Sequence, residues 1–174
     1  VDTGEMKKKS VSQTYSPSMD IQVSSNFERL LFDLLGRKSG DVSEAMHNFR
    51  KTGKLVVPNF AWKEARKLFD ASMVDDDTTL RTIAKISSEQ NVLIDPHTAI
   101  GVEIAFEMSS KLSRPIVSLA TAHPAKFPDA AKKAVGQIPA LPASLSDLYE
   151  RKENFTVLPN ELDILQDFIC AKKY

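Results

Sequence analysis

Apolar residues recur at helical spacing over most of this chain and at strand spacing over little of it. Phe27, Leu30, Leu31, Leu34 and Leu35 share one face behind a capping box of Ser25 and Glu28, which predicts a helix ending at Gly36. Asp41 and Glu44 repeat the start signal for a second helix, with Val42, Ala45, Met46 and Phe49 turned inward and Gly53 just past its end. After the short apolar run 55–57, Asn59 is expected to cap a third helix carrying Trp62, Ala65, Leu68 and Phe69. Asp77 opens a fourth, with Leu80, Ile83 and Ala84 on its inner face.

Residues 91–94 and 116–120 are the strand candidates, the second the clearer. Between them, Asp95-Pro96 supplies an N-cap followed by proline at the first helical position. The helix that follows is apolar nearly all round, so burial on several sides is expected. Phe127, Ala130, Ala131, Ala134 and Val135 line a further helix up to Gly136, and a proline-punctuated connector over 138–142 leads to two short helices around 145–149 and 162–169. The pattern implies a helix-rich α/β fold with a few parallel strands flanked by helices and no internal repeat. Residues 1–15 read as a polar lead-in or linker with solvated lysines at 7–9, and residues 16–174 as one compact region.

Composition narrows the function classes. A chain of 174 residues can bury a real core, and no apolar run approaches a membrane span. Lys and Arg (23) balance Asp and Glu (23), so no long-range field recruits nucleic acid or an anionic membrane, and any anion must be held by local geometry. The single cysteine, Cys170, excludes an internal disulfide framework, points to a reducing, cytoplasmic compartment, and reads as a small core hydrophobe. Histidines at 47, 97 and 123 lie far apart with no Cys pair, so no metal site is expected. Asp75, Asp76 and Asp77 lack the glycine and terminal Glu of a calcium loop and read as an acidic helix start.

Candidate chemistry gathers at residues 119–127, LATAHPAKF, where an apolar strand runs through Thr121 into a His-Pro turn and a helix. Strand ends of this kind are where open α/β sheets bind ligands. Taken alone, the Thr121 hydroxyl either meets a ligand or caps the strand end by bonding its own backbone. His123 is held out of the α region by Pro124, and orienting the turn is its preferred role over direct ligand contact. Lys126 falls in a first helical turn, where its charge opposes the dipole; that hints at a nearby anion or at a lysine snorkelling into solvent. Ser25, Asn26 and Arg29, with the free amides of their helix, offer a seat for a phosphate or carboxylate, although ordinary capping explains the same residues. His97, near a helix N-terminus, reads as hydrogen-bonded structure.

LATAHPAKF, together with SPSMDIQVSSNFERLLF at 16–32 and IDPHTAIGVEIA at 94–105, resembles the C-terminal part of threonine synthase, a pyridoxal-phosphate enzyme of the tryptophan-synthase-β fold type (fold-type II). The resemblance implies pyridoxal 5'-phosphate as cofactor, with Thr121 opposite the pyridine nitrogen and His123 beside it. It implies O-phosphohomoserine as substrate, faced by Ser25, Asn26, Arg29 and Lys126, and its conversion with water to threonine and phosphate. The family's Schiff-base lysine, in a Ser-x-Lys-Asp context, and its glycine-rich phosphate cup are not in this sequence and are expected upstream in the same enzyme. The segment therefore holds no catalytic residue of its own and should be inactive alone. Two other readings stay open: a threonine-synthase-like phospholyase giving phosphate and 2-oxobutyrate, and a non-catalytic fragment that binds a partner.

Overall fold

A computed structural model describes residues 2–172, in two compact units, the first running to Pro139 and the second beginning at Ala140. The first unit holds two clusters of elements.

One cluster joins a two-stranded sheet to three helices: β1 (Glu5–Lys7), α1 (Ser25–Leu34), α2 (Ser39–Thr52), β2 (Lys54–Val56) and α3 (Asn59–Leu68). Its core is apolar throughout, with Leu31, Met46, Phe49, Leu55 and Ala61 buried together. Gly53 ends α2 in the left-handed conformation at φ 69°, and this turns the chain back so that Leu55 of β2 lies under the helices. Residues 5–7, part of the expected polar lead-in, form β1: Met6 packs on this core while Glu5 pairs with Lys54 at 3.2 Å.

The starts of these helices differ by a residue or more from the capping pattern. Ser24, not Ser25, caps α1, its Oγ accepting from the Phe27 N–H at 3.4 Å. Ser25 is thereby the first helical residue, and Glu28 is left to pair with Arg50 at 3.6 Å rather than to close a capping box. Lys38 precedes α2, with Asp41 in its first turn, and Pro58 precedes α3, making Asn59 helical rather than a cap.

The other cluster packs α4 (Asp76–Gln90) against α5 (Pro96–Ser109) and α6 (Pro128–Val135). Asp75 caps α4 by accepting from the Thr78 N–H at 2.8 Å, so the helix opens earlier than Asp77. Asp95 caps α5 and Pro96 is its first residue, as the sequence implies. Only the first turn of α5 is deeply buried; beyond Ala99 the helix is half-buried or exposed, less covered than its apolar composition implies.

The fold is helix-rich with few strands, but the strands are not the expected ones. The sheet is antiparallel, Met6 opposite Leu55, and neither 91–94 nor 116–120 belongs to it. Asn91 is the left-handed cap of α4, which sends the chain directly toward Asp95. A strand exists only through bonds to a neighbour, and among the described residues none runs beside 116–120. That run lies along α5 instead: Ser118 turns inward, with its Oγ 3.1 Å from where a side chain on Gly101 would begin, and Val117 and Leu119 point outward.

The second unit contains a 3₁₀ turn at Ala143–Leu145, where a short helix over 145–149 was expected, and α7 (Leu162–Ala171). Cys170 is exposed on α7 rather than buried as a core residue.

Candidate functional site

The LATAHPAKF junction is anchored through its backbone. The Thr121 N–H donates to Thr98 Oγ1 at 3.0 Å, which pins the end of the 116–120 run to the first turn of α5. The Thr121 side chain is solvent-accessible, and its hydroxyl has no hydrogen-bond partner among the described residues. It neither caps the run nor bonds its own backbone, so the donor stays available.

His123 turns the chain after it. Its Nδ1 accepts from the Ala125 N–H at 3.2 Å, capping a 3₁₀ turn at Pro124–Lys126; the residue is exposed, and its Nε2 has no hydrogen-bond partner among the described residues. Lys126 ends that turn and stands two residues ahead of α6. It is thus outside the helix's first turn, and the expected conflict with the helix dipole does not arise. Its ammonium lies 5.9 Å from the centre of the Phe127 ring.

Beneath these residues is a buried polar cluster. Asp95 is 1% exposed, and its Oδ1 accepts from the backbone N–H of His97 at 2.9 Å and of Thr98 at 3.4 Å. The same carboxylate takes His97 Nδ1–H at 2.9 Å and the Thr98 hydroxyl. His97 Nε2 accepts from the Ser18 N–H at 3.2 Å, which places the proton on Nδ1 and draws the 3₁₀ turn Pro17–Met19 onto α5. The Phe127 ring closes over His97 with ring centres 4.6 Å apart. Spacing within D-P-H-T is the signal that puts these side chains in one helical turn; which distant backbone each would meet was not readable from it.

Ser25, Asn26 and Arg29 stand elsewhere, at the head of α1. Arg29 hydrogen-bonds the Asn26 side chain, and Ser25 and Arg29 line a groove of about 550 Å³ between α1 and α2, together with Glu28, Asp33 and Arg50. Among the described residues no hydrogen bond, ion pair or ring contact joins this group to Thr121, His123 or Lys126. The segment 16–24 links the two, with Ser16 buried and Asp20 accepting both the amide and the hydroxyl of Thr14 at 2.8 Å.

Among the described residues there is no group of three or more acidic, His or Cys side chains that could hold a metal ion, and no helix is long and apolar enough to cross a membrane.

Known proteins give these features a setting. Residues 98–169 match the family model "Threonine synthase, C-terminal". Threonine synthase of Pseudomonas aeruginosa is 55% identical over 163 residues, which is 93% of this chain and 35% of the relative. The Corynebacterium glutamicum threonine synthase is 35% identical over 96% of this chain and 36% of its own length. The crystal structure of a PLP-bound threonine synthase from Brucella melitensis superimposes with a TM-score of 0.77 at 47% identity, covering 97% of this chain and 36% of that one. Yeast threonine synthase gives a TM-score of 0.74 at 30% identity, over 98% and 38% of the two chains. The chain spans about a third of the length of the relatives it matches. By family model, sequence and fold together, it belongs to the threonine synthases and corresponds to their C-terminal part.

Proposed function

We propose that this chain is the C-terminal part of an enzyme that converts O-phosphohomoserine and water to threonine and phosphate. The observation that carries this reading is the Thr121 hydroxyl: accessible, unpartnered, and held at a fixed point by its own amide. A neutral hydroxyl is a suitable donor for the ring nitrogen of pyridoxal phosphate, the cofactor named for the Brucella structure. When bound, that cofactor supplies the electron sink for carbanion chemistry at the amino acid.

The residues of this chain then bind and orient. Thr121 would donate a hydrogen bond to the ring nitrogen without protonating it, unlike a carboxylic acid, and this moderates the sink. His123, its Nδ1 committed to the turn, would keep Nε2 available to that ring. Ser25, Asn26, Arg29 and Lys126 are the groups assigned to the anionic substrate. Arg29 and the α1 amides suit phosphate or carboxylate, and Lys126, in the turn ahead of α6, contributes a second positive charge. The lysine that bonds covalently to the cofactor is assigned to the rest of the enzyme, so the chain alone is inactive. The remainder of the enzyme is accordingly its first partner, and the cytoplasm its compartment.

Product analysis of the full-length gene product with pyridoxal phosphate and O-phosphohomoserine tests this, following phosphate, threonine and 2-oxobutyrate together. Equal threonine and phosphate, both lost in Thr121→Ala, are expected. Phosphate with 2-oxobutyrate and no threonine would replace the synthase with a phospholyase, and no phosphate at all would leave a binding role.

A further inference from the structure

Asp95 does more than cap a helix. The cap needs only an acceptor for the amides of His97 and Thr98, which a serine or asparagine also provides. This buried carboxylate takes two side chains as well, and the far end of each reaches a distant segment: His97 Nε2 to the Ser18 amide, Thr98 Oγ1 to the Thr121 amide. Four donors converge on two oxygens, a set that only a carboxylate can accept, since an amide presents one donor end. Bonds in series polarise one another in a low-dielectric interior, and both arms leave from consecutive residues of one helical turn.

We propose that Asp95, His97 and Thr98 are positioning residues: the one carboxylate sets where Thr121 and the Pro17–Met19 turn stand relative to each other, and so aligns the Thr121 hydroxyl. The proposal rests on the assignment of Thr121 to the cofactor ring. It divides the labour, because Thr121 meets the ring with its side chain while its amide takes orders from Thr98.

The test compares Thr98→Val with Thr98→Ser in the full-length gene product. Valine keeps the shape of threonine and removes the oxygen, leaving the Thr121 amide without its acceptor; serine restores it. In Thr98→Val, hydrogen exchange at the Thr121 amide should rise about tenfold or more. The visible absorption of bound pyridoxal phosphate should shift, and kcat should fall on the order of 10- to 100-fold with KM nearly unchanged. Thr98→Ser should return all three toward the parent. Should the valine variant not fold, Thr98→Ala carries the same expectations. His97→Gln, which keeps an acceptor for Ser18 but gives up the bond to Asp95, should raise exchange at the Ser18 amide.

An unchanged Thr121 amide in Thr98→Val overturns the proposal, as does an altered amide with unshifted absorption and full kcat. If the parent protein turns over no O-phosphohomoserine, the activity reading fails by itself, and the exchange measurement still decides the linkage.

Discussion

The two clusters of the first unit are held together by different chemistry. Around α1, α2 and α3 the fully buried side chains are Leu31, Met46, Phe49 and Ala61, which bond to nothing and only exclude water. Around α4, α5 and α6 the buried set includes Thr79, Thr82, Asp95, His97 and Thr98, each hydrogen-bonded. The Thr82 hydroxyl donates to Glu103 at 2.6 Å, and that of Thr79 to the Asp75 carbonyl at 2.8 Å. An apolar core fixes volume and tolerates small shifts, whereas a satisfied polar network fixes directions. The candidate ring-binding residue, Thr121, is attached to the network and not to the apolar core.

If that division holds, damage to the two clusters should separate stability from activity. Phe49→Ala, 1% exposed in the parent, should cost about 3–5 kcal/mol in urea unfolding of the full-length protein. The folded fraction should keep its kcat. Asp95→Ala removes a cap and strands the His97 and Thr98 donors, and should cost about 2–4 kcal/mol. Here the folded fraction should lose turnover as well. A Phe49→Ala protein with depressed kcat at full folding would show that the two clusters are not functionally distinct.

The same contrast explains how far the sequence could be read. Apolar periodicity located α1, α2 and α3 but the inward faces of only the first two: Leu68 and Phe69, expected to face inward on the third, are exposed, and Ala61 is its buried residue. Glycine at Gly53 and Gly136 marked two helix ends because the left-handed turn there suits it. Asp95-Pro96 marked the start of α5 for an equally local reason. Polar long-range links carry no period. His97 was readable as a bonded histidine, but its bond to an amide 79 residues away was not, nor was the Thr121 amide on Thr98. Ser24 displaced Ser25 as the cap because adjacent serines offer the same chemistry and only backbone geometry decides between them. The run 116–120 has strand composition, yet a ladder depends on a second strand that composition cannot supply.

A smaller effect probes the seam between α5 and the 116–120 run. Gly101→Ala should gain about 1 kcal/mol of helix propensity, but its new Cβ would lie 3.1 Å from Ser118 Oγ, so the net change should be near zero. That Oγ is buried without a partner among the described residues, and Ser118→Ala should stabilise by up to about 1 kcal/mol. The double variant should exceed the sum of the singles by about 0.5 kcal/mol, because the second change removes the atom that opposed the first. Strict additivity in thermal unfolding would mean that α5 and the run are not in contact in solution.

The smallest effect concerns Asp75, where the polar cluster reaches the surface. Hydrogen bonds from Thr78, side chain first and then backbone, hold the Asp75 carboxyl below its ordinary value. A carboxyl that loses its proton more readily when folded contributes stability above its unfolded pKa, and the contribution disappears as pH falls through the lowered folded value. The first turn of α4 should therefore fray only on the acid side of the ordinary carboxylate range. Hydrogen exchange at the Thr78 amide, measured below pH 5 against the middle of α4 and corrected for intrinsic rates, should show the local opening. Asp75→Asn keeps a capping acceptor but has no proton to gain, so its Thr78 protection should be independent of pH over that interval. An identical acid response in both proteins would place the titrating group elsewhere.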